Sequence, residues 1–375
     1  MTDHTQAGRP QADDAGRHTE HIRTETRGAL GIITLDRPRA LNSLDRPMVL
    51  ALERALLRWA EAPEVRAVVV RGEGRGLCAG GDVRALREGP DEDAMAFWAD
   101  EYRLNALIAA YPKPYVALMD GITMGGGLGI SAHGSVRVVT ERTAVAMPET
   151  RIGFTPDVGM AKLLAAAPGK LGTHLALTAQ TATGADAVLL GWADHLVPSE
   201  RLGERGENLI GALAAGFGRA DAADASGAPA LAVAHDAVRS LALDAADPAL
   251  VAPLAAERSW IDEAYVGPGA PAILAQLEAL AAEGTEGAHA AAAEALREVC
   301  PFSVVLTLEA LRRAALMDLG EVLAQDLRLG AALIRRGDMR EGIRALLVDK
   351  DGAPRWSPAR IEDVDPAEVE AAFGG

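Results

Sequence analysis

The sequence predicts an α/β protein whose second half is helical. Three observations carry this. Short apolar runs rich in β-branched residues alternate with amphipathic helical stretches up to about residue 200. Two of those runs pass into glycine-rich turns that open a helix, G-L-C-A-G-G-D-V at 76–83 and G-I-T-M-G-G-G-L-G at 121–129. Beyond residue 200 the alternation stops and the chain becomes Ala-rich with helical periodicity.

Taken in order, residues 1–20 are polar and lack the apolar centre of a secretory signal, and Asp13 and Asp14 count against a transit peptide. They read as a disordered tail. Residues 29–35 (A-L-G-I-I-T-L) form a strand closed by Asp36-Arg37-Pro38. Asp45 caps a helix with Pro47 in its first turn, and Val49, Leu52, Leu56 and Trp59 share one face. Residues 65–70 (V-R-A-V-V-V) are a buried strand, and Gly80-Gly81-Asp82 opens the next helix. The helix predicted over 91–110 carries Phe97, Trp98, Leu104 and Ile108 on one stripe, with Glu101 among them. Residues 115–119 and 144–147 are further strands, and a helical run to Ala167 and a last short strand at 195–198 follow. Loops are expected at 216–229 and 266–271, the first flexible over 219–229. Trp260-Ile261-Asp262 and Phe302-Ser303 are expected to flank helical stretches. The division is a tail at 1–20, a core at 21–200 and a helical region at 201–375.

Composition bounds the function. A chain of 375 residues, 49% hydrophobic and 24% charged, builds a large core. The formal net charge of -16 argues against nucleic-acid or anionic-membrane partners. Cys78 and Cys300 stand far apart, with neither a disulfide framework nor a zinc spacing, which fits a reducing cytosol. No apolar stretch approaches the ~20 residues of a membrane span. The eight histidines are scattered, no metal site is visible, and His133 reads as a packed helix residue. The sequence has no Walker A, no HExxH and no Gly-x-Ser-x-Gly.

The chemistry concentrates between residues 76 and 159. Gly125, Gly126 and Gly127 leave bare backbone N–H groups at a helix start, which suits a developing oxyanion. Gly80 and Gly81 repeat the pattern, so two backbone turns could converge on one oxygen. A strand delivers Glu149 at its end, and Asp157 follows eight residues later. Each feature alone has a plainer reading: a tight turn, a solvated glutamate, an N-cap at Pro156-Asp157. Glu101 on an apolar stripe is either an edge residue or a carboxylate facing a pocket. Together they suggest acyl chemistry on a carbonyl.

These segments, L-D-R-P-R-A-L-N (35–42), G-L-C-A-G-G-D-V (76–83), residues 114–129 and A-M-P-E-T-R-I-G-F-T-P-D-V-G (146–159), resemble the crotonase (enoyl-CoA hydratase/isomerase) superfamily. With His133-Gly134 and E-G-I-R-A-L-L-V-D-K-D near the C-terminus, they are most similar to its 3-hydroxyisobutyryl-CoA hydrolase branch. The resemblance spans roughly residues 22–368 and is weaker through 201–255. It implies a crotonase-like spiral of ββα units with a helical C-terminal region. It further implies an acyl-CoA whose thioester oxygen lies between the amides of Gly81 and Gly126. Arg39, Ala40, Ala79, Asp82 and Val83 would hold the CoA moiety, with Arg39 a candidate for its phosphates. Glu149 and Asp157 are the implied catalytic residues, and Glu101 lines the acyl pocket with Gly126. Hydratases of the family use two glutamates; the first position is here Gly129 and the second is Glu149.

That pattern implies hydrolysis of a short branched hydroxyacyl-CoA thioester, as in valine catabolism, with no cofactor beyond the CoA of the substrate. Homo-oligomers are common in the superfamily. The alternatives are enoyl-CoA isomerisation or hydration, and a non-catalytic binder of acyl-CoA or RNA. Thr155, Met160 and Ala161 depart from the family pattern and are expected to reshape the acyl pocket.

Overall fold

The computed structural model describes residues 21–219, 227–243, 247, 250–282 and 287–374. The tail expected at 1–20 lies outside the described residues, as does 220–226 of the expected flexible loop.

Among the described residues, ten strands form two sheets. The larger has the order β1 (Ile22–Arg27), β2 (Leu30–Leu35), β3 (Ala67–Gly72), β5 (Tyr115–Met119), β7 (Val136–Val139) and β10 (His195–Leu196). Only its β1–β2 pair is antiparallel. The smaller has the order β4 (Gly76–Cys78), β6 (Ile122–Met124), β8 (Ala144–Ala146) and β9 (Ala182–Thr183). Consecutive strands alternate between the sheets: β3 then β4, β5 then β6, β7 then β8. Each pair advances the chain by one strand in both sheets, which is the spiral of ββα units.

The helices are α1 (Arg46–Glu61), α2 (Val83–Glu88), α3 (Asp91–Ala109), α4 (Gly126–Gly129), α5 (Met160–Ala166), α6 (Leu171–Thr178), α7 (Gly184–Leu189) and α8 (Ser199–Leu202). The C-terminal region adds α9 (Glu207–Arg219), α10 (Gly227–Arg239), α11 (Pro253–Ala264), α12 (Ala270–Ala282), α13 (Ala288–Glu298), α14 (Pro301–Ala314), α15 (Leu319–Leu333), α16 (Gly337–Ile343) and α17 (Pro366–Ala372). Asp45 caps α1 by accepting from Met48 N–H at 2.9 Å, a bond worth about 1 kcal/mol. The predicted stripe of α1 is buried against the sheet.

The larger sheet has a core on each face. Ile33, Leu35, Val68 and Val70 face the main core, which reaches from Ile22 to Val369. Leu30, Ile32, Val69 and Val116 point the other way, onto α9 and α10. A strand buried on both sides needs apolar residues at successive positions, and this is why 29–35 and 65–70 are apolar at nearly every position rather than at alternate ones.

The structure adds one strand and corrects three expectations. Strand β1 has the burial pattern of an edge strand, with most side chains half-buried or exposed, and its polar sequence concealed it. The loop expected from 216 to 229 gives way to helix on both sides: α9 continues to Arg219 and α10 starts at Gly227. Trp260 lies inside α11, and Phe302 inside α14 behind Pro301. His133 sits in a turn after α4 rather than in a helix.

Candidate active site

The parallel order β4–β6–β8 places three strand ends side by side, and each carries part of the site. Open α/β sheets bind ligands beyond the carboxyl ends of parallel strands. Beyond β4 the chain turns through Gly80 (φ +107°) into Gly81. Beyond β6 it turns through Gly125 (φ +50°) into Gly126 at the head of α4. The positive φ values explain glycine at both turning positions. A Cβ on Gly126 would lie 3.5 Å from the Gly81 nitrogen, and one on Gly80 would lie 3.6 Å from the Gly126 nitrogen. The two amides therefore adjoin, and neither N–H donates to an acceptor among the described residues.

Beyond β8, Pro148 leads into a 3-10 turn, Glu149–Ile152, that carries Glu149 to the same edge. Glu149 Oε1 lies 2.9 Å from where a Gly125 Cβ would be, and Glu101 Oε1 lies 2.4 Å from a Gly126 Cβ. Side chains at these two glycines would displace the carboxylates. Asp157 completes the group, accepting from the Tyr102 hydroxyl at 2.7 Å through Oδ2. Glu101, Glu149 and Asp157 are all buried, and none forms an ion pair among the described residues. Glu101 Oε1 and Glu149 Oε2 have no hydrogen-bond partner there. Unpaired buried carboxyl oxygens are costly in a fold and are expected where a ligand supplies the missing partner.

Burial sets the electrostatics. It pushes the Asp157 carboxyl up to about 6 against the pull of the Tyr102 hydrogen bond. Burial, and then the charge of Asp157, holds Glu101 well above the usual carboxylate range. Glu149 is raised by burial, then by Asp157, with a smaller push from Glu101. Three interacting acids of this kind do not all ionise together near neutral pH.

The acids open on a cavity of about 270 Å³. Phe97, Trp98 and Phe154 wall it, Trp98 and Phe154 stacking with centroids 4.9 Å apart. Val83 and Leu86 of α2 close one side, and Met339, Leu346 and Leu347 of the C-terminal region close another. The Arg84 guanidinium joins the two covers by donating to the Leu347 carbonyl at 2.6 Å.

Of the residues expected to hold CoA, Ala79 and Val83 line the cavity. Arg39 and Ala40 lie on a 3-10 turn just before 41–44, and that stretch pairs with 79–82 through Ala79 N–H to Leu41 O (3.0 Å) and Leu44 N–H to Gly80 O (2.8 Å). Arg39 is exposed, with no ion pair among the described residues. Asp82 is engaged elsewhere: it pairs with Arg37 at 2.8 Å and caps α2.

The plainer reading of Asp157 fails here, and so does one expectation. Asp157 caps no helix; α5 begins at Met160 with Gly159 as its N-cap. Thr155, Met160 and Ala161 do not line the cavity. Thr155 Oγ1 bonds Thr307 Oγ1 of α14 at 3.0 Å, and Met160 and Ala161 are buried in the main core. They fasten the site to the C-terminal region instead of shaping the acyl pocket. Tyr102 carried no signal in sequence, and the lining roles of Phe154, Leu346 and Leu347 were not legible although all three lie in quoted motifs, because these roles rest on contacts between distant segments.

A profile of the enoyl-CoA hydratase/isomerase family matches residues 30–373. The chain is 37% identical over 365 residues to a mitochondrial 3-hydroxyisobutyryl-CoA hydrolase of Gallus gallus, covering 95% of this chain and 90% of that protein. It is 34% identical over 359 residues to 3-hydroxyisobutyryl-CoA hydrolase 1 of Arabidopsis thaliana, covering 94% and 91%. A crystal structure titled as a carnitinyl-CoA dehydratase from Mycobacterium thermoresistibile superposes with TM-score 0.83 at 42% identity, covering 95% of this chain and 96% of that one. One titled as an enoyl-CoA hydratase from Rhodobacter sphaeroides 2.4.1 gives 0.81 at 37%, covering 94% and 97%.

Proposed function

The chain belongs to the enoyl-CoA hydratase/isomerase family, and from that premise we propose that it hydrolyses a short branched hydroxyacyl-CoA, 3-hydroxyisobutyryl-CoA above all, to the hydroxy acid and free CoA. The names of its hydrolase relatives support this reading. The titles of two solved structures point instead to adding or removing water across a carbon–carbon bond. The observation that decides between them is at Gly129. A Cβ there would lie 2.7 Å from the Val158 Cβ and 3.0 Å from Asn105 Nδ2. The site has no room for the hydratases' first glutamate, and Val158 beside Asp157 fills its place.

In the mechanism, the thioester oxygen accepts from the Gly81 and Gly126 N–H groups, which stabilise the oxyanion as the carbonyl carbon becomes tetrahedral. Glu149 stands beside that pair. As a carboxylate it attacks the carbon directly, or it takes a proton from the water that does. The C–S bond then breaks and the thiolate takes a proton; on the direct route water next cleaves the acyl–Glu149 anhydride, so by either route water supplies the oxygen and both hydrogens of the products. Asp157, poised near pH 6, orients the substrate hydroxyl or water and exchanges the proton the thiolate needs. Glu101 binds the polar end of the acyl group against the aromatic wall. Hydrolysis balances with water alone, so no redox or group-transfer cofactor enters. Free Cys78 and Cys300 fit a reducing compartment; a cytosol meets that condition, and so does the interior of a mitochondrion, the organelle in the vertebrate relatives' names. Valine breakdown is the pathway this substrate would serve.

The test is release of free thiol from 3-hydroxyisobutyryl-CoA by the wild type and by Glu149→Gln. The wild type should turn over, and the variant should lose about 10²–10⁴ in rate. A folded wild type that binds the ester yet releases no thiol would overturn the reading in favour of isomerisation.

A further inference from the structure

Asp157 is followed by two residues in the left-handed region, Val158 at φ +50° and Gly159 at φ +77°. A β-branched residue seldom adopts that conformation, which persists only where surrounding contacts enforce it. Here the contacts grip a single peptide unit at both ends. The Val158 carbonyl accepts from His133 Nε2–H at 2.7 Å, and the Gly159 N–H donates to Asp326 Oδ2 at 2.9 Å. His133 comes from the turn after α4, the helix that carries the Gly126 amide. Asp326 comes from α15, in the C-terminal region, and is 1% exposed. Its other oxygen, Oδ1, has no partner among the described residues.

We propose that Asp326 is a positioning residue for Asp157: with His133 it clamps the Val158–Gly159 peptide and so fixes the turn that aims Asp157 at the substrate. The proposal rests on the hydrolase reading of the site. Asp326 acts through its acceptor oxygen, not through charge. The titratable groups facing it are Asp157 on the turn and Tyr102 on α3, themselves hydrogen-bonded, and a negative charge on all of them would repel. A neutral acceptor in that place does the same work.

The substitutions Asp326→Ala and Asp326→Asn separate this from general destabilisation. Asp326→Ala should lose about 10- to 100-fold in kcat, the scale of a misplaced catalytic group, while KM stays within about threefold. Its pH–rate profile should lose the limb assigned to Asp157 by comparison with Asp157→Asn. Asp326→Asn keeps an acceptor for the Gly159 N–H and should restore kcat to within about threefold of wild type. Crystal structures should show the turn at 157–159 displaced in Asp326→Ala and unmoved in Asp326→Asn. An unmoved turn with wild-type kcat in folded Asp326→Ala overturns the proposal, as does an Asn variant no better than Ala. A wild type that hydrolyses no thioester defeats the functional reading instead, and the crystal structures still decide the clamp.

Discussion

At the scale of single residues the site trades stability for reactivity. Asp157 is raised to about 6 from an ordinary 3.8, chiefly by burial. A carboxyl raised in the folded state contributes stability that is present below its unfolded pKa and lost as pH rises through the folded value. The window is therefore about pH 4 to 6, and Glu101 and Glu149, shifted in the same direction, extend it upward. Asp157→Asn should accordingly stabilise the protein at pH 8 by about 1–3 kcal/mol while disabling it, with much less effect at pH 4. Thermal melts of the two proteins at both pH values check this; equal melting temperatures at pH 8 would reject it. The same coupling governs rate. The Asp157 charge raises Glu149, and the proposed mechanism uses Glu149 as a carboxylate. The acid limb of kcat/KM in Asp157→Asn, measured on whatever activity remains, should therefore move to lower pH. An unmoved limb would mean that Glu149 does not sense Asp157.

At the scale of elements, legibility followed locality. The glycine turns and the strand that delivers Glu149 were readable because each is a short run whose composition states its backbone: apolar strand, glycines, helix start. Glu101 was readable as a carboxylate breaking an apolar stripe, and α3 buries it as that anomaly suggested. Asp157 was singled out although a Pro-Asp before a helical run is also how a helix begins; the structure gives that cap to Gly159 instead. Strand β1 was missed because one antiparallel partner suffices for an edge strand, and exposed side chains leave no apolar signature. What the sequence withheld about α4 is how tightly it is packed. A Gly129→Ala methyl would press on Val158 and hence on the Asp157 turn. We expect this single methyl to cost about 1–3 kcal/mol and to lower kcat more than it raises KM. Urea unfolding with steady-state kinetics measures both, and a stable, fully active variant would show that the turn yields freely.

At the scale of the whole molecule, the change of secondary structure near residue 200 is visible in sequence, whereas the bonding across it is not. The Cys300 N–H donates to the Thr150 carbonyl at 2.9 Å, one residue from Glu149. Thr155 bonds Thr307, and Gly159 bonds Asp326. Gly153 and Gly342 lie so close to Asp338 and Ile152 respectively that a Cβ on either would come within 2.6 Å. Such contacts join segments more than 140 positions apart, and no local pattern encodes them. One buried apolar cluster then runs through both regions, from Ile22 to Val369. A core shared in this way has no seam at which one half can melt while the other stands. In urea, tryptophan fluorescence, far-UV circular dichroism and thioester turnover should therefore be lost together, at one midpoint. Residues 21–200 expressed alone should fail to turn over substrate, because that piece lacks Asp326 and the cover formed by Met339, Leu346 and Leu347. Two separated midpoints, or an active 21–200 fragment, would make the helical region an appendage; one midpoint makes it half of the active site.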